Sequence, residues 1–72
     1  MSVKKAETIR IDIDGDIRTV LKSGYIKAKT KMLQEFGYTN LTEKEVEKGL
    51  EKAIKGEADE VISMFIESDL AK

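Results

Sequence analysis

The stretch Thr8-Ile9-Arg10-Ile11-Asp12-Ile13-Asp14-Gly15-Asp16-Ile17-Arg18-Thr19-Val20-Leu21 decides the fold. Its first half alternates strictly. Ile9, Ile11 and Ile13 fall on one face and Thr8, Arg10 and Asp12 on the other, the period-two pattern of a half-buried strand. A lone strand leaves its backbone donors and acceptors unpaired, so it needs a partner strand from this chain or from a second copy. The second half reads two ways. As a helix capped by Asp16, it places Ile17, Val20, Leu21, Ala28, Met32, Leu33 and Phe36 largely on one stripe, with Gly24 as the weak point. As a hairpin with the three-residue loop Asp14-Gly15-Asp16, it sets Ile17, Thr19 and Leu21 opposite Ile13, Ile11 and Ile9, and Asp12 opposite Arg18, with a shorter helix starting at Ser23-Gly24. The unbroken stripe favours the helix. The expected fold class is then mostly α with one N-terminal strand, in the order β-α-α-α, as a dimer that pairs the strands in an antiparallel ribbon. The alternative is a β-hairpin followed by three helices, a monomeric α+β fold.

Downstream punctuation comes from glycine, because the chain has no proline. Gly37 ends the helix on either reading, and Tyr38-Thr39-Asn40 makes the turn. Thr42 stands three residues before Glu45, the spacing of a capping box, and Leu41 before the cap can pack on Val46 as a hydrophobic staple. Val46, Leu50, Ala53 and Ile54 make a narrow apolar stripe on that helix, and Gly56 stops it. A last helix from Glu57 to Leu70 carries Ala58, Val61, Ile62, Met64, Phe65, Ile66 and Leu70. Its apolar arc is wider than a rim helix needs, so part of it is expected to face a partner. With 72 residues there is room for one domain: a flexible N-terminal arm over residues 1–6, a strand-helix-helix core over 7–56 and the C-terminal helix over 57–72.

Thirteen Lys and Arg against fourteen Asp and Glu give a net charge of −1, which neither demands nor forbids an anionic partner. The distribution is uneven. Residues 1–31 hold eight basic and four acidic residues, and residues 32–72 hold five and ten, so faces of opposite sign are expected. Cysteine and histidine are both absent, which removes thiol nucleophiles, disulfides, His-based acid/base pairs and ordinary zinc sites. No pair of carboxylates, lysines or tyrosines falls in an obvious pocket-forming context, so neither enzyme activity, a cofactor nor a metal is expected. Apolar runs are far below the roughly 20 residues needed to span a bilayer, and the start MSVKKAET lacks a signal-peptide core, so a cytoplasmic protein is expected. A core this small rarely supplies more than about 3–5 kcal/mol, which makes self-association the default expectation.

Asp12-Ile13-Asp14-Gly15-Asp16 has the carboxylate spacing of a calcium loop's opening, but Ile17 and Ser23 stand where such a loop needs Gly and Glu. The same residues resemble the D-x-D-G-T signature of haloacid-dehalogenase-like phosphatases over four positions, with Asp16 in place of Thr, and 72 residues leave no room for that family's parallel sheet. A polar Asp-Gly turn accounts for them. The run Lys27-Ala28-Lys29-Thr30-Lys31 reads either as a phosphate-neutralising patch or as a solvated helix face.

An alternating N-terminal strand, a helix, a Gly-containing turn and a second, capped helix over residues 7–56 resemble the ribbon-helix-helix family of dimeric DNA-binding proteins, which includes repressors and antitoxins. The resemblance implies a two-stranded ribbon in the major groove, with Thr8, Arg10 and Asp12 at the base-reading face and Ile9, Ile11 and Ile13 toward the core. It also implies that the amides at Thr42 and Glu43 anchor a phosphate. Two functions follow as expectations. One is a homodimeric, antitoxin-like transcription regulator that uses Thr8, Arg10 and Asp12 on bases and Lys4, Lys5, Lys22, Lys27, Lys29 and Lys31 on phosphates. The other is a protein-interaction module, an adaptor or small subunit, with Val61, Ile62, Phe65 and Ile66 as anchors on the C-terminal helix.

Overall fold

A computed structural model describes residues 7–71. The elements run β1 (Thr8–Ile13), β2 (Asp16–Leu21), α1 (Lys22–Phe36), α2 (Glu43–Lys55) and α3 (Val61–Glu67). The expected helix from Asp16 to Phe36 is therefore divided into a strand and a helix, and β1 pairs antiparallel with β2 in its own chain. Local chemistry explains the outcome. Ile17, Thr19 and Val20 are β-branched and favour extended backbone, and Gly24 moves from a helix interior to the first turn of α1, where it weakens little.

The loop is one residue shorter than the hairpin alternative expects. Asp14 and Gly15 alone connect the strands, with φ of 52° and 86°, the pair of positive values that a type I′ turn requires. The twist of that turn matches the twist of the strands, and the Asp12 carboxylate accepts the Gly15 N–H at 2.8 Å. Asp12 accordingly lies opposite Ile17 and Ile11 opposite Arg18, not Asp12 opposite Arg18. A one-residue shift turns a strand over. Val20 packs against the core beside Ile9, while Ile17, Thr19 and Leu21 face solvent with Thr8, Arg10 and Asp12.

The other edge of β1 is covered by the end of the chain. The Asp12 N–H donates to the Asp69 carbonyl at 2.8 Å, the Ala71 N–H donates to the Arg10 carbonyl at 3.1 Å, and Leu70 bridges Ile11. This is why α3 stops at Glu67 rather than running on to Leu70: the last residues must be extended to pair with β1. At the other end, Glu57–Glu60 is not helical, and the Ser63 hydroxyl accepts the Glu60 N–H at 3.0 Å to start α3.

The turn before α2 forms as expected. Thr42 accepts the Glu45 N–H, the Glu45 carboxylate accepts the Thr42 N–H, and Leu41 and Val46 are both buried in the core. Gly56 closes α2 in the left-handed region at φ 77°. Ile9, Ile11, Ile26, Leu33, Leu41, Val46, Leu50, Ala53 and Ile66 form one core between the hairpin and the helices. Helices α2 and α3 approach closely at Gly49, where an added methyl would stand 3.1 Å from Ile66 and 3.3 Å from Ile62. Lys52 ties the same two helices at the surface through Asp59 and Glu60, and those two bonds raise its pKa.

One polar cluster pins the chain end. The Tyr25 hydroxyl donates to the Asp69 carboxylate at 2.6 Å, and the buried Lys29 ammonium donates to the same oxygen at 2.7 Å. Burial first, then the hydrogen bond and the negative charge of Asp69, push the Tyr25 phenol well above its ordinary value of 10.0. The unfolded chain ionises this phenol at a pH where the folded chain does not. Its contribution is therefore whole below 10.0 and is lost as the pH climbs above that value. Tyr25→Phe is expected to cost about 1.5 kcal/mol at neutral pH in urea denaturation. The same variant should show a shallower loss of stability than the parent from about pH 9 to about pH 11. Gly24→Ala and Gly49→Ala separate propensity from packing in the same assay. The open site at Gly24 should gain about 0.5 kcal/mol, and the crowded one at Gly49 should lose about 1 kcal/mol despite a better helix former.

Candidate interaction surface

The residues expected to hold DNA are dispersed. Thr8, Arg10 and Asp12 do share the solvent face of the hairpin, and Lys27 and Lys31 are exposed on α1. Lys22 is largely buried and sits 3.2 Å from Glu7 and 3.9 Å from Glu51, and Lys29 is buried against Asp69, so both cations are already neutralised within the fold. Lys4 and Lys5 lie outside the described residues. At the start of α2 the Thr42 side chain is taken up by Glu45, and Glu43 and Glu45 surround the first amides with negative charge, which repels a phosphate there.

The anchors expected on the last helix divide as well. Ile66 is fully buried in the core, and Ile62 is half-buried beside Gly49. Val61 and Phe65 face outward, and Phe65 meets two rings from elsewhere. Its centroid lies 6.4 Å from Phe36 and 6.3 Å from Tyr38, both in edge-on geometry. Phe36, at the end of α1, is 74% exposed, the most open large apolar side chain among the described residues.

From this aromatic cluster an apolar band extends both ways. Met32, 52% exposed, lies one turn before Phe36 on α1, and Ala28 one turn before that. Ala28 and Met32 line a groove of about 240 Å³ with Ile11, Ile13 and Tyr25, whose polar wall is the Lys29–Asp69 pair. Val61 continues the band one turn from Phe65 on α3. The band thus joins the tip of the hairpin, the outer face of α1 and the first turns of α3.

Sequence periodicity assigned Met32 and Phe36 to a helix stripe and Tyr38 to a turn, without distinguishing the buried half of the stripe from the exposed half. One signal was present. Ile26, Thr30 and Leu33 already supply a complete inward face for α1, which leaves Ala28, Met32 and Phe36 at i, i+4 and i+8 as a second apolar row. Asp69 had no such signal, since its partners lie 44 and 40 residues away. Among the described residues no group of acidic side chains is arranged to hold a metal ion, and no helix is long and apolar enough to cross a membrane. Comparisons with protein-family models, with curated proteins and with solved structures each returned no match to this chain.

Proposed function

We propose that this chain is a non-catalytic protein-interaction module whose docking surface is the apolar band centred on Phe36, Tyr38 and Phe65. The exposure of Phe36 at the hub of an aromatic cluster supports the reading best. A phenylalanine contributes about 1.5–3 kcal/mol when it leaves water, and folding of this chain recovers only a small part of that at Phe36. Aromatic side chains grouped on a rigid helical support, with small and flexible neighbours such as Ala28 and Met32, are the usual anchors of a protein interface. The groove beside them suits an apolar side chain of an incoming segment, and Lys31 and Glu35 at its α1 flank offer both signs of charge for a polar rim.

A photo-reactive phenylalanine analogue at position 36, expressed in the native host, tests this directly. The expected result is a discrete cross-linked species that Phe65→Asp abolishes and that the same analogue at exposed Glu47 does not form. Cross-linking at position 36 no stronger than at position 47 would sink the reading. Phe36→Ala is expected to leave stability within about 0.5 kcal/mol of the parent, because so little of the ring is buried.

A second reading, DNA binding by a dimeric regulator, is favoured by one feature. The hairpin is itself a two-stranded ribbon with Thr8, Arg10 and Thr19 on its open face, and the major groove admits an element of that width. Fluorescence anisotropy with duplex DNA separates the two. Under the protein-interaction reading binding is absent at about 100 mM salt, whereas groove binding would weaken steeply with salt and fall by about tenfold or more in Arg10→Ala.

A further inference from the structure

We propose that β2 pairs edge to edge with β2 of a second copy of this chain, antiparallel and centred on Thr19, joining the two hairpins into a four-stranded sheet. The two edges of the hairpin are unequal. β1 is flanked by β2 and by the chain end at Leu70, while β2 has no strand on its far side among the described residues. Five of its six residues are exposed, it carries neither lysine, proline nor a bulge, and its two charges, Asp16 and Arg18, lie at the turn end, where they pair with each other at 2.9 Å.

The backbone sets the phase of any such pairing. Across a two-residue turn Ile13 and Asp16 exchange hydrogen bonds, so the bonded pairs continue at Ile11–Arg18 and Ile9–Val20. The bond from the Lys22 N–H to the Glu7 carbonyl at 2.9 Å keeps the same phase. The N–H and C=O groups of Ile17 and Thr19 therefore point away from β1, toward the open side. Their side chains stand on the solvent face with Leu21, where Ile17 is 46% and Leu21 53% exposed.

Four two-fold registers satisfy this phase, and overlap and side chains choose between them. A pairing in which Ile17 meets Thr19 of the second copy brings Arg18 directly against Arg18 of that copy, at the close spacing of a non-bonded pair, where like charges repel. Pairings centred on Ile17 or on Val20 overlap only residues 16–18 or 19–21 of β2 and leave Leu21 or Ile17 without an apolar partner. The pairing centred on Thr19 overlaps residues 17–21. It sets Ile17 opposite Leu21 twice and Thr19 opposite Thr19, and it holds the acidic tips at opposite ends of the sheet. The edge is complementary to itself in backbone phase and in apolar contact, and this register sets Arg18 opposite Val20 rather than against a like charge, which is why the occupant is a second copy.

The chain has no cysteine, so single thiols report the register without background. At the centre of the sheet the two Cα atoms of residue 19 would lie about 5.5 Å apart, within disulfide range. Under mild oxidation Thr19→Cys is expected to form covalent dimer at least about tenfold faster than Thr39→Cys, an exposed control in the turn before α2. Adding Ile17→Lys to Thr19→Cys should remove that advantage while the circular dichroism spectrum stays that of the parent. Thr19→Pro provides a second check by sedimentation equilibrium, since it deletes an N–H that points away from β1 and should reduce dimerisation without disturbing the hairpin. Equal rates at positions 19 and 39, faster coupling through Ile17→Cys than through Thr19→Cys, or coupling that survives Ile17→Lys would each overturn the proposal. Phe36→Asp is expected to leave the Thr19→Cys rate unchanged, so loss of the apolar-band reading would not remove this one.

Discussion

β1 is a strand with two edges, and every later element depends on how those edges are satisfied. Ile9 and Ile11 are buried, so its backbone groups cannot all be left to water, and unpaired N–H and C=O groups at the margin of a core are costly. The nearest solution in sequence is β2, reached through two residues. The other solution comes from the far end of the chain, and it shapes everything between. For Leu70 to lie beside Ile11, α3 must end early and α2 must cross the core to deliver it. Asp69 must also arrive at a place where its charge is met, by Tyr25 and Lys29 on α1. A lysine that sequence alone would send to solvent is buried because the chain end needs a counter-ion there.

The length of the turn then determines what the outside of the protein looks like. With Asp14 and Gly15 both at positive φ the loop is as short as a hairpin permits, and Ile17 and Leu21 are turned away from the core. A three-residue loop would have turned them inward opposite Ile13 and Ile9. The core is complete without them because α1, α2 and α3 cover only the base of the hairpin. The tip, with Ile13, Asp16 and Arg18, extends beyond that cover. The same overhang leaves Ile13 beside Ala28 and Met32, which opens the groove at one end of the apolar band.

Signals confined to a few neighbouring residues were legible in the sequence, and signals that depend on distant partners were not. The alternation in β1 and the Thr42–Glu45 capping box, with Leu41 and Val46 behind it, are carried by contacts within four or five residues. The choice at Asp16–Leu21 was harder because Ile17, Val20 and Leu21 fit a helical stripe as well as a strand. Strand pairing decided it through hydrogen bonds that a periodicity count does not weigh. The C-terminal helix was read too long for a related reason: Glu57–Glu60 and Ser68–Leu70 have helical composition, and only the open edge of β1 makes extension of the chain end worthwhile. At the candidate surface, Val61 and Phe65 were legible as surplus apolar residues. Their aromatic partners Phe36 and Tyr38 were not, since the contact joins two helices and a turn.

The hairpin cannot serve as a groove-reading ribbon and as half of a larger sheet at the same time. Four strands at about 4.8 Å spacing make a backbone about 14 Å wide before side chains are added, against a major groove about 12 Å wide. A single hairpin is about a third of that width and would enter, but it would carry Asp12, Asp14 and Asp16 to the phosphates together with Arg10 and Arg18. Ile17 and Leu21 tip the balance. Two exposed β-sheet aliphatics on the open face contribute nothing to a contact with sugar and phosphate, whereas opposite one another across a paired edge they lose water on both sides. The apolar band lies on α1 and α3, outside the residues that the register centred on Thr19 pairs. A chain of this size can therefore gain stability from a second copy through one surface and still present Phe36, Tyr38 and Phe65 through another.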